Sequence, residues 1–292
     1  MGNSNLDPAA LKKMGLVQQK QKEYFALRLR AVGGDFNVKQ LRKVAEVAEK
    51  YAKGEVHLTT RQGIEIHNVH QTKIEEAKKE LEKGGVFMGA CGPRVRGIIA
   101  CPGGTTCRWG IIDTKEIARE LDAKYFLEET PHKFKFSVTG CPHNCAKATE
   151  NDIGVMGAIL PKWNMESCTN CDLCVSACPT QAIEKRTGND GKVQYALLED
   201  KCINCSICTS ICPSDAWTIA FKGYNLFIGG TMGKVQRLAT LLKKLLTREE
   251  AMSLIEKSLR YYQKNGRKKE RFGITIDRIG TEEVVKGIAD AK

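Results

Sequence analysis

The chain has 292 residues, of which 42% are hydrophobic and 27% charged. This fits a soluble globular protein of two or three domains, and no stretch approaches the length of a membrane span. The formal charge of +12 raises nucleic acid as a partner, yet no basic block with interleaved aromatics supports one, and Arg267-Lys268-Lys269 is short enough to be a solvated turn. The first fifteen residues lack the apolar run of a secretory leader, so a cytoplasmic location is the default. Thirteen cysteines in a reducing compartment argue for metal ligation over disulfides, and the odd count points the same way.

Residues 1–22 read as an N-terminal extension, and residues 23–85 as strand, helix, strand, strand, helix. Tyr24 to Ala31 is strand-like and enters the turn Gly33-Gly34-Asp35. Asn37 and Gln40 can form a capping box, and Val38, Leu41, Val44, Ala45, Ala48 and Tyr51 then recur at helical spacing before Gly54. Val56 to Thr60 and Gly63 to Val69 read as strands. Thr72 and Glu75 are expected to cap a second amphipathic helix, ended by Gly84-Gly85. Farther on, Arg94 to Ala100 is expected as a strand leading into Cys101, and Phe134 to Val138 as one leading into Cys141. A short helix capped by Asp113 and Glu116 and running to Leu121 lies between them. Tyr224 to Ile228 is a strand candidate entering Gly229-Gly230-Thr231-Met232-Gly233. The glycine spacing there is one residue short of a phosphate loop, and Val235 replaces the required Ser or Thr. Two amphipathic helices are expected after it, the second capped by Thr247 and Glu250 and closed near Asn265-Gly266.

Twelve of the cysteines fall into two spacings. Cys168, Cys171, Cys174 and Cys178 are followed by a proline, and so are Cys202, Cys205, Cys208 and Cys212. This repeated run is the pattern of bacterial two-cluster ferredoxins, in which the fourth cysteine of each run serves the other cluster. The expected ligand sets are therefore Cys168, Cys171, Cys174 and Cys212 for one [4Fe-4S] cluster, and Cys202, Cys205, Cys208 and Cys178 for the second. Cys-x2-Cys also suits zinc, but the third and fourth cysteines, the prolines and the duplication favour iron–sulfur. The other spacing, Cys101-x5-Cys107 with Cys141-x3-Cys145, is too spread for a local ribbon. Each pair follows a predicted strand, so one sheet edge can bring the pairs together as ligands of a third cluster. Cys101-Pro102-Gly103-Gly104 and Gly140-Cys141-Pro142 supply turns that let backbone approach it. Cys91 is left over and reads as a buried core thiol.

Cations also stand two residues apart on three predicted strands: Arg28 and Arg30, Arg94 and Arg96, Lys133 and Lys135. Strand periodicity puts each pair on one face. A lone pair of this kind is ordinarily a solvated face, but Arg96 and Lys135 closely precede cluster cysteines.

The combination of Cys-x5-Cys with Cys-x3-Cys strongly resembles the hallmark of the siroheme sulfite and nitrite reductases. The likeness covers nearly the whole chain and is strongest to small anaerobic and dissimilatory-type sulfite reductase subunits. The resemblance implies an α+β fold: a ferredoxin-like βαββα half-domain over 23–85, an α/β siroheme and [4Fe-4S] domain over 86–160 and 218–292, and a two-[4Fe-4S] ferredoxin domain inserted at 161–217. It implies siroheme and three [4Fe-4S] clusters, with Cys145 bridging the third cluster to the siroheme iron. Leu27-Arg28-Leu29-Arg30 before Gly33-Gly34 resembles a segment supplying a substrate arginine, placed on Arg30. Arg96 supplies the second, and His132-Lys133-Phe134-Lys135-Phe136 resembles the strand supplying two substrate lysines, Lys133 and Lys135. Thr59, Thr60, Arg61, Gln62 and His67 resemble the strand pair that grips siroheme carboxylates. His57 and Gly97 depart from the family pattern, where arginine and asparagine are common.

Such a protein reduces sulfite to hydrogen sulfide with six electrons that enter through the ferredoxin clusters from a low-potential donor protein or subunit. Nitrite reduction to ammonia on the same cofactors is the nearest alternative, and a non-catalytic electron-transfer subunit is another. The cofactors would absorb the basic excess: three clusters and siroheme bring the net charge to about −2. One strand–helix–strand–strand–helix copy per chain implies a homodimer or a higher oligomer, or a heteromer with related subunits.

Overall fold

The computed structural model describes residues 8–188 and 191–291. The first seven residues of the expected N-terminal extension, and positions 189 and 190 of the expected ferredoxin unit, lie outside them.

The rest of the extension forms helix α1 (Pro8–Lys13) and strand β1 (Leu16–Gln18). Then follow β2 (Tyr24–Arg28), α2 (Val38–Tyr51), β3 (Val56–Leu58), β4 (Ile64–His70) and α3 (Ile74–Lys83). The strands make an antiparallel sheet in the order β1-β2-β4-β3. Val44, Val47 and Ala48 of α2 and Ile74, Ala77 and Leu81 of α3 bury against Phe25, Leu27, Ile64, Ile66 and Val69. The Asn37–Gln40 capping box forms as expected. Thr72 and Glu75 do not cap α3. His70 instead accepts from the Thr72 N–H and opens a 3-10 turn ahead of the helix.

A second sheet has the order β11-β10-β7-β6-β5. Its members, with the helix between the first two, are β5 (Ile99–Ala100), α4 (Thr114–Tyr125), β6 (Phe136–Thr139) and β7 (Ile153–Trp163). The chain then makes α5 (Leu173–Ala177), the hairpin β8 (Ile183–Thr187) and β9 (Val193–Leu197), and α6 (Ile207–Ile211). It rejoins the sheet as β10 (Trp217–Ile228), whose first residue pairs with Trp163, the last of β7. The return strand is thus longer than the five residues expected. Residues 164–216 are an excursion between two paired strands.

β11 (Thr240–Leu246) completes the sheet. The first of the two amphipathic helices expected after Gly233 falls here, on a segment whose Leu238, Leu241, Leu242, Leu245 and Leu246 stand at helical spacing. The free edge of β10 overrides that pattern. β11 pairs along it with two register shifts and Leu245 at positive φ, so sheet hydrogen bonding decides over local propensity. Helix α7 (Arg248–Asn265) then starts from the expected Thr247–Glu250 capping box, and α8 (Phe272–Ile279) and α9 (Thr281–Ala289) follow. α4 and α7 to α9 enclose a core centred on Tyr125, Phe134, Phe136, Tyr262 and Phe272, whose neighbouring rings lie 5.1–5.9 Å apart. Among the described residues no helix is long and apolar enough to cross a membrane.

Leu259 of α7 is fully buried in this core. Leu259→Ala is expected to cost about 2–5 kcal/mol through the cavity it leaves, read as a lower denaturant midpoint.

Candidate functional site

β5, β6 and β7 run parallel, with Ile99 opposite Ser137 and Ala100 opposite Val138. The loops that leave β5 and β6 therefore emerge side by side, and they carry Cys101 and Cys141. The Cys101 N–H donates to Val138 O at 3.1 Å, and the Gly140 N–H donates to Cys101 Sγ at 3.0 Å. The Cys107 N–H donates to Gly103 O at 2.8 Å, closing a turn that holds Gly103 at φ +71°. A Cβ on Gly157 would overlap the Gly140 carbonyl, so β7 can press against the cysteine loop only with glycine there. Cys101 and Cys141 are buried, Cys107 is half-buried and Cys145 is exposed. Burial pushes the Cys141 thiol up; the His143 N–H opposes this, and Cys101, Cys107 and Cys145 add to the rise. Four thiols within electrostatic reach suit a cluster that withdraws their charge. Among the described residues no group of three Cys, His, Asp or Glu side chains converges on a single-ion site. A cubane puts each thiolate on a different iron and so holds them farther apart.

A cleft of about 310 Å³ lies between the two sheets, lined in part by the segments that enter β5 and β6. Arg28, Arg30, Arg61, Arg96, Lys133 and Lys135 line it, and Glu65 is the one acid among the described lining residues. Arg61 donates to Asn151 Oδ1 at 2.7 Å and Gly97 O at 3.0 Å, and burial brings its guanidinium down to about 10. Lys135 comes down to about 8, chiefly through burial and then through Arg61 and Arg271. Arg96 donates to Ala90 O and Gly92 O, but its Nε is buried without a partner. Desolvated cations with one facing acid make a site for a polyanion. That chemistry fits siroheme carboxylates and a small oxyanion.

Asp152 supports the cleft from below. It is fully buried and accepts from Arg271 Nη2 at 2.7 Å and from the Lys135 N–H at 2.9 Å. Burial pushes its carboxyl up, and Arg271 and Lys135 draw it back.

In the excursion, one cavity is lined by Cys168, Cys171, Cys174 and Cys212 together with Tyr195 and Trp217. Another is lined by Cys178, Cys202, Cys205 and Cys208 among Ile159, Ile183, Leu197 and Ile207. Each cavity thus combines three thiols of one run with the last of the other. Trp217 lies in the first, its buried Nε1 without a hydrogen bond of ordinary geometry among the described residues and within reach of the Cys174 thiol.

The other sequence candidates are divided. Thr59 and Thr60 line the cleft, and Thr59 Oγ1 also accepts from the Gly63 N–H. Gln62 is turned away and clamps Ala100 through both its amide atoms. His67 stacks on His57 at 5.3 Å and reaches Glu65 at 3.1 Å, outside the cleft lining. Arg30 touches the cleft rim, but its guanidinium pairs with buried Asp122 and covers the Phe126 ring. β2 ends at Arg28, so strand alternation does not carry on to Arg30. Arg28 takes the inner position, bound to Glu65 and to the Cys91 thiol at 2.8 Å. Burial alone would raise Glu65; hydrogen bonds from His67 and Arg28 hold it below its usual value. Arg94 points to Glu129. Sequence reasoning missed Asp152 and Arg271, whose 119-residue separation leaves no local signal.

Residues 91–291 match the family described as Nitrite and sulphite reductase 4Fe-4S domain, and residues 17–84 match the Nitrite/Sulfite reductase ferredoxin-like half domain. The Coenzyme F420-dependent sulfite reductase of Methanocaldococcus jannaschii is 34% identical over 91% of this chain and 42% of its own length. An uncharacterized protein of the same organism is 31% identical over 94% of this chain and 96% of its own. The chain thus spans less than half of the first relative and nearly all of the second. Among solved structures, dissimilatory sulfite reductase I superposes with a TM-score of 0.74 at 19% identity, covering 92% of this chain and 70% of that one.

Lys135 is protonated below its value of about 8 and neutral above it. Sulfate or sulfite affinity of the cleft is therefore expected to fall at least several-fold as pH rises through 8, and Lys135→Arg should flatten that step. Calorimetric titration on both sides of pH 8 checks this.

Proposed function

Because the chain belongs to the nitrite and sulfite reductase family, we propose that it is a siroheme-dependent enzyme reducing sulfite to hydrogen sulfide with six electrons. The observation that carries this reading is a cleft lined by six cations and one acid, in a chain whose β5 and β6 loops present four thiols. Siroheme joined to a [4Fe-4S] cluster supplies an iron that takes sulfur and the electrons that reduce it.

The chain's own residues do the rest. Cys101, Cys107, Cys141 and Cys145 would hold the cluster, and Cys145, the exposed one of the four, would be the thiolate shared with siroheme. Arg61, with Thr59 and Thr60, binds siroheme carboxylates through a guanidinium suited to paired oxygens. Gln62 and His67 act from behind, Gln62 by fixing Ala100 next to Cys101 and His67 by fixing Glu65. Arg96, Lys133 and Lys135 hold sulfite oxygens, joined by Arg28; Arg30 steadies the rim. Fixed cations favour loss of oxygen as water, and Lys135 at about 8 is matched to delivering protons near neutral pH.

The reading extends to electron entry. Residues 161–217 act as an inserted ferredoxin domain with two [4Fe-4S] clusters, fed by a low-potential donor protein or subunit. Residues 23–85 form the ferredoxin-like half-domain, and 86–160 with 218–292 form the siroheme domain. The assembly is a homodimer or higher oligomer, supported by edge strand β3 with Val56 and Leu58 exposed. The cysteine content supports a reducing, cytoplasmic compartment. Nitrite is the competing substrate, because the matched family spans both activities.

Anaerobic purification, siroheme extraction and turnover assays with sulfite and nitrite test the proposal. Absence of extractable siroheme would refute it, and faster turnover of nitrite would exchange the substrates. Cys145→Ser is expected to abolish sulfite reduction while the cysteines of the excursion keep their iron, measured by iron content. Lys133→Ala should lower kcat about 100-fold, the scale of one lost transition-state contact, with siroheme content retained. Arg61→Ala should instead lower siroheme content, read from the absorption spectrum.

A further inference from the structure

The two runs of the excursion repeat with an offset of 34 residues, which provides an internal control. Cys178-Pro179-Thr180 matches Cys212-Pro213-Ser214, Ala182 matches Ala216, and Ile183 matches Trp217. The backbone donors obey the repeat. Cys178 receives N–H groups from Thr180, Ala182 and Ile183, and Cys212 receives them from Ser214, Ala216 and Trp217. Asn170 beside Cys168 likewise matches Asn204 beside Cys202. The side chain at the last matched position breaks the repeat. Ile183 lines the cavity of Cys178, Cys202, Cys205 and Cys208 and has no donor to offer. Trp217 lines the cavity of Cys168, Cys171, Cys174 and Cys212. It is 3% exposed, and its buried Nε1 makes no hydrogen bond of ordinary geometry among the described residues but lies within reach of the Cys174 thiol, which it helps to hold down.

We propose that Trp217 donates its indole N–H to sulfur of the cluster held by Cys168, Cys171, Cys174 and Cys212, and thereby gives that cluster the higher reduction potential of the two. This rests on the ferredoxin reading of residues 161–217 given above. A donor to sulfur stabilises the reduced, more negative state. Solvent acts in the same direction, because Cys171 is exposed whereas no thiol of the other cavity is more than half-exposed. Tyr195 closes the Trp217 side, held by its hydroxyl on Asp172, whose charge Lys185 offsets at 2.7 Å. One cation opposes the asymmetry: Lys244 lies 3.4 Å from Cys202 O. It is exposed, so solvent and salt screen it, whereas the indole is desolvated. The step concerned is transfer of a single electron from a low-potential one-electron donor, with no bond made or broken. The first electron then rests on the Trp217 side.

The experiment is a redox titration of the anaerobically purified holoprotein followed by electron paramagnetic resonance, with iron and siroheme contents measured alongside. The wild type is expected to show two separate midpoints for the excursion clusters. Trp217→Phe, which keeps the ring and removes the donor, should move the higher one down by about tenfold in the equilibrium, about 59 mV for one electron, and leave the other in place. Unchanged midpoints with full iron content would overturn the inference and leave the ferredoxin reading intact. If the variant does not retain the cluster, wild type grown with tryptophan 15N-labelled at the indole nitrogen alone decides: pulsed resonance of the reduced protein should show that nitrogen coupled to one cluster, and no coupling would overturn the inference. Absence of both cluster signals from the wild type would overturn the ferredoxin reading, and this inference with it.

Discussion

Asp152 is the one carboxylate buried beneath a cleft that gathers cations from several parts of the chain. It sits at the head of β7, accepts from the N–H of Lys135 ahead of β6, and receives Arg271 from the entrance to α8. Mutual repulsion among desolvated arginines and lysines works against the folded state, and a fully buried acid that does not line the cleft lowers that cost without filling it. Arg61 feels Asp152 as its main electrostatic support, against Arg96, Arg271 and Arg28. The remaining positive potential is left for an anion. Cleft and C-terminal helices therefore depend on one ion pair, and neither can be altered independently of it.

The second constraint is backbone approach. Parallel pairing of β5 with β6 brings the two cysteine loops to one sheet edge, and β7 packs against them at Gly157, where no side chain fits. Gln62 then ties the first sheet to the second through both polar atoms of Ala100, one residue before Cys101. The cleft is the space these contacts leave between the sheets. Its cations come from β2, from the β3–β4 connection, and from the segments leading into β5 and β6, so its charge is high only when both sheets are docked.

The excursion has its own small core of Cys174, Ile183, Tyr195 and Trp217. It remains joined to the large sheet because β7 and β10 pair along their full length up to Trp163 and Trp217. Both ends of the excursion are thereby held rigid. A rigid attachment suits electron transfer, which needs fixed separations and no conformational work.

Much of this was legible in the chain alone. Cysteine spacing is a local property, so the two runs, and the grouping of three thiols of one with the last of the other around each cavity, follow from the sequence, as does the presence of Lys133 and Lys135 together at the cleft. The capping boxes at Asn37 and Thr247 are likewise set by residues three apart. Tertiary structure decided the rest. Arg28 and Arg30 both reach the cleft but take different acids, Glu65 and Asp122, and a leucine-rich segment with helical spacing became β11 because an open strand edge was available. Asp152 and Arg271 meet across 119 residues. Only packing could select that pair from the many charges of the chain, because the energy of a buried ion depends on where the fold removes water and not on its neighbours in sequence.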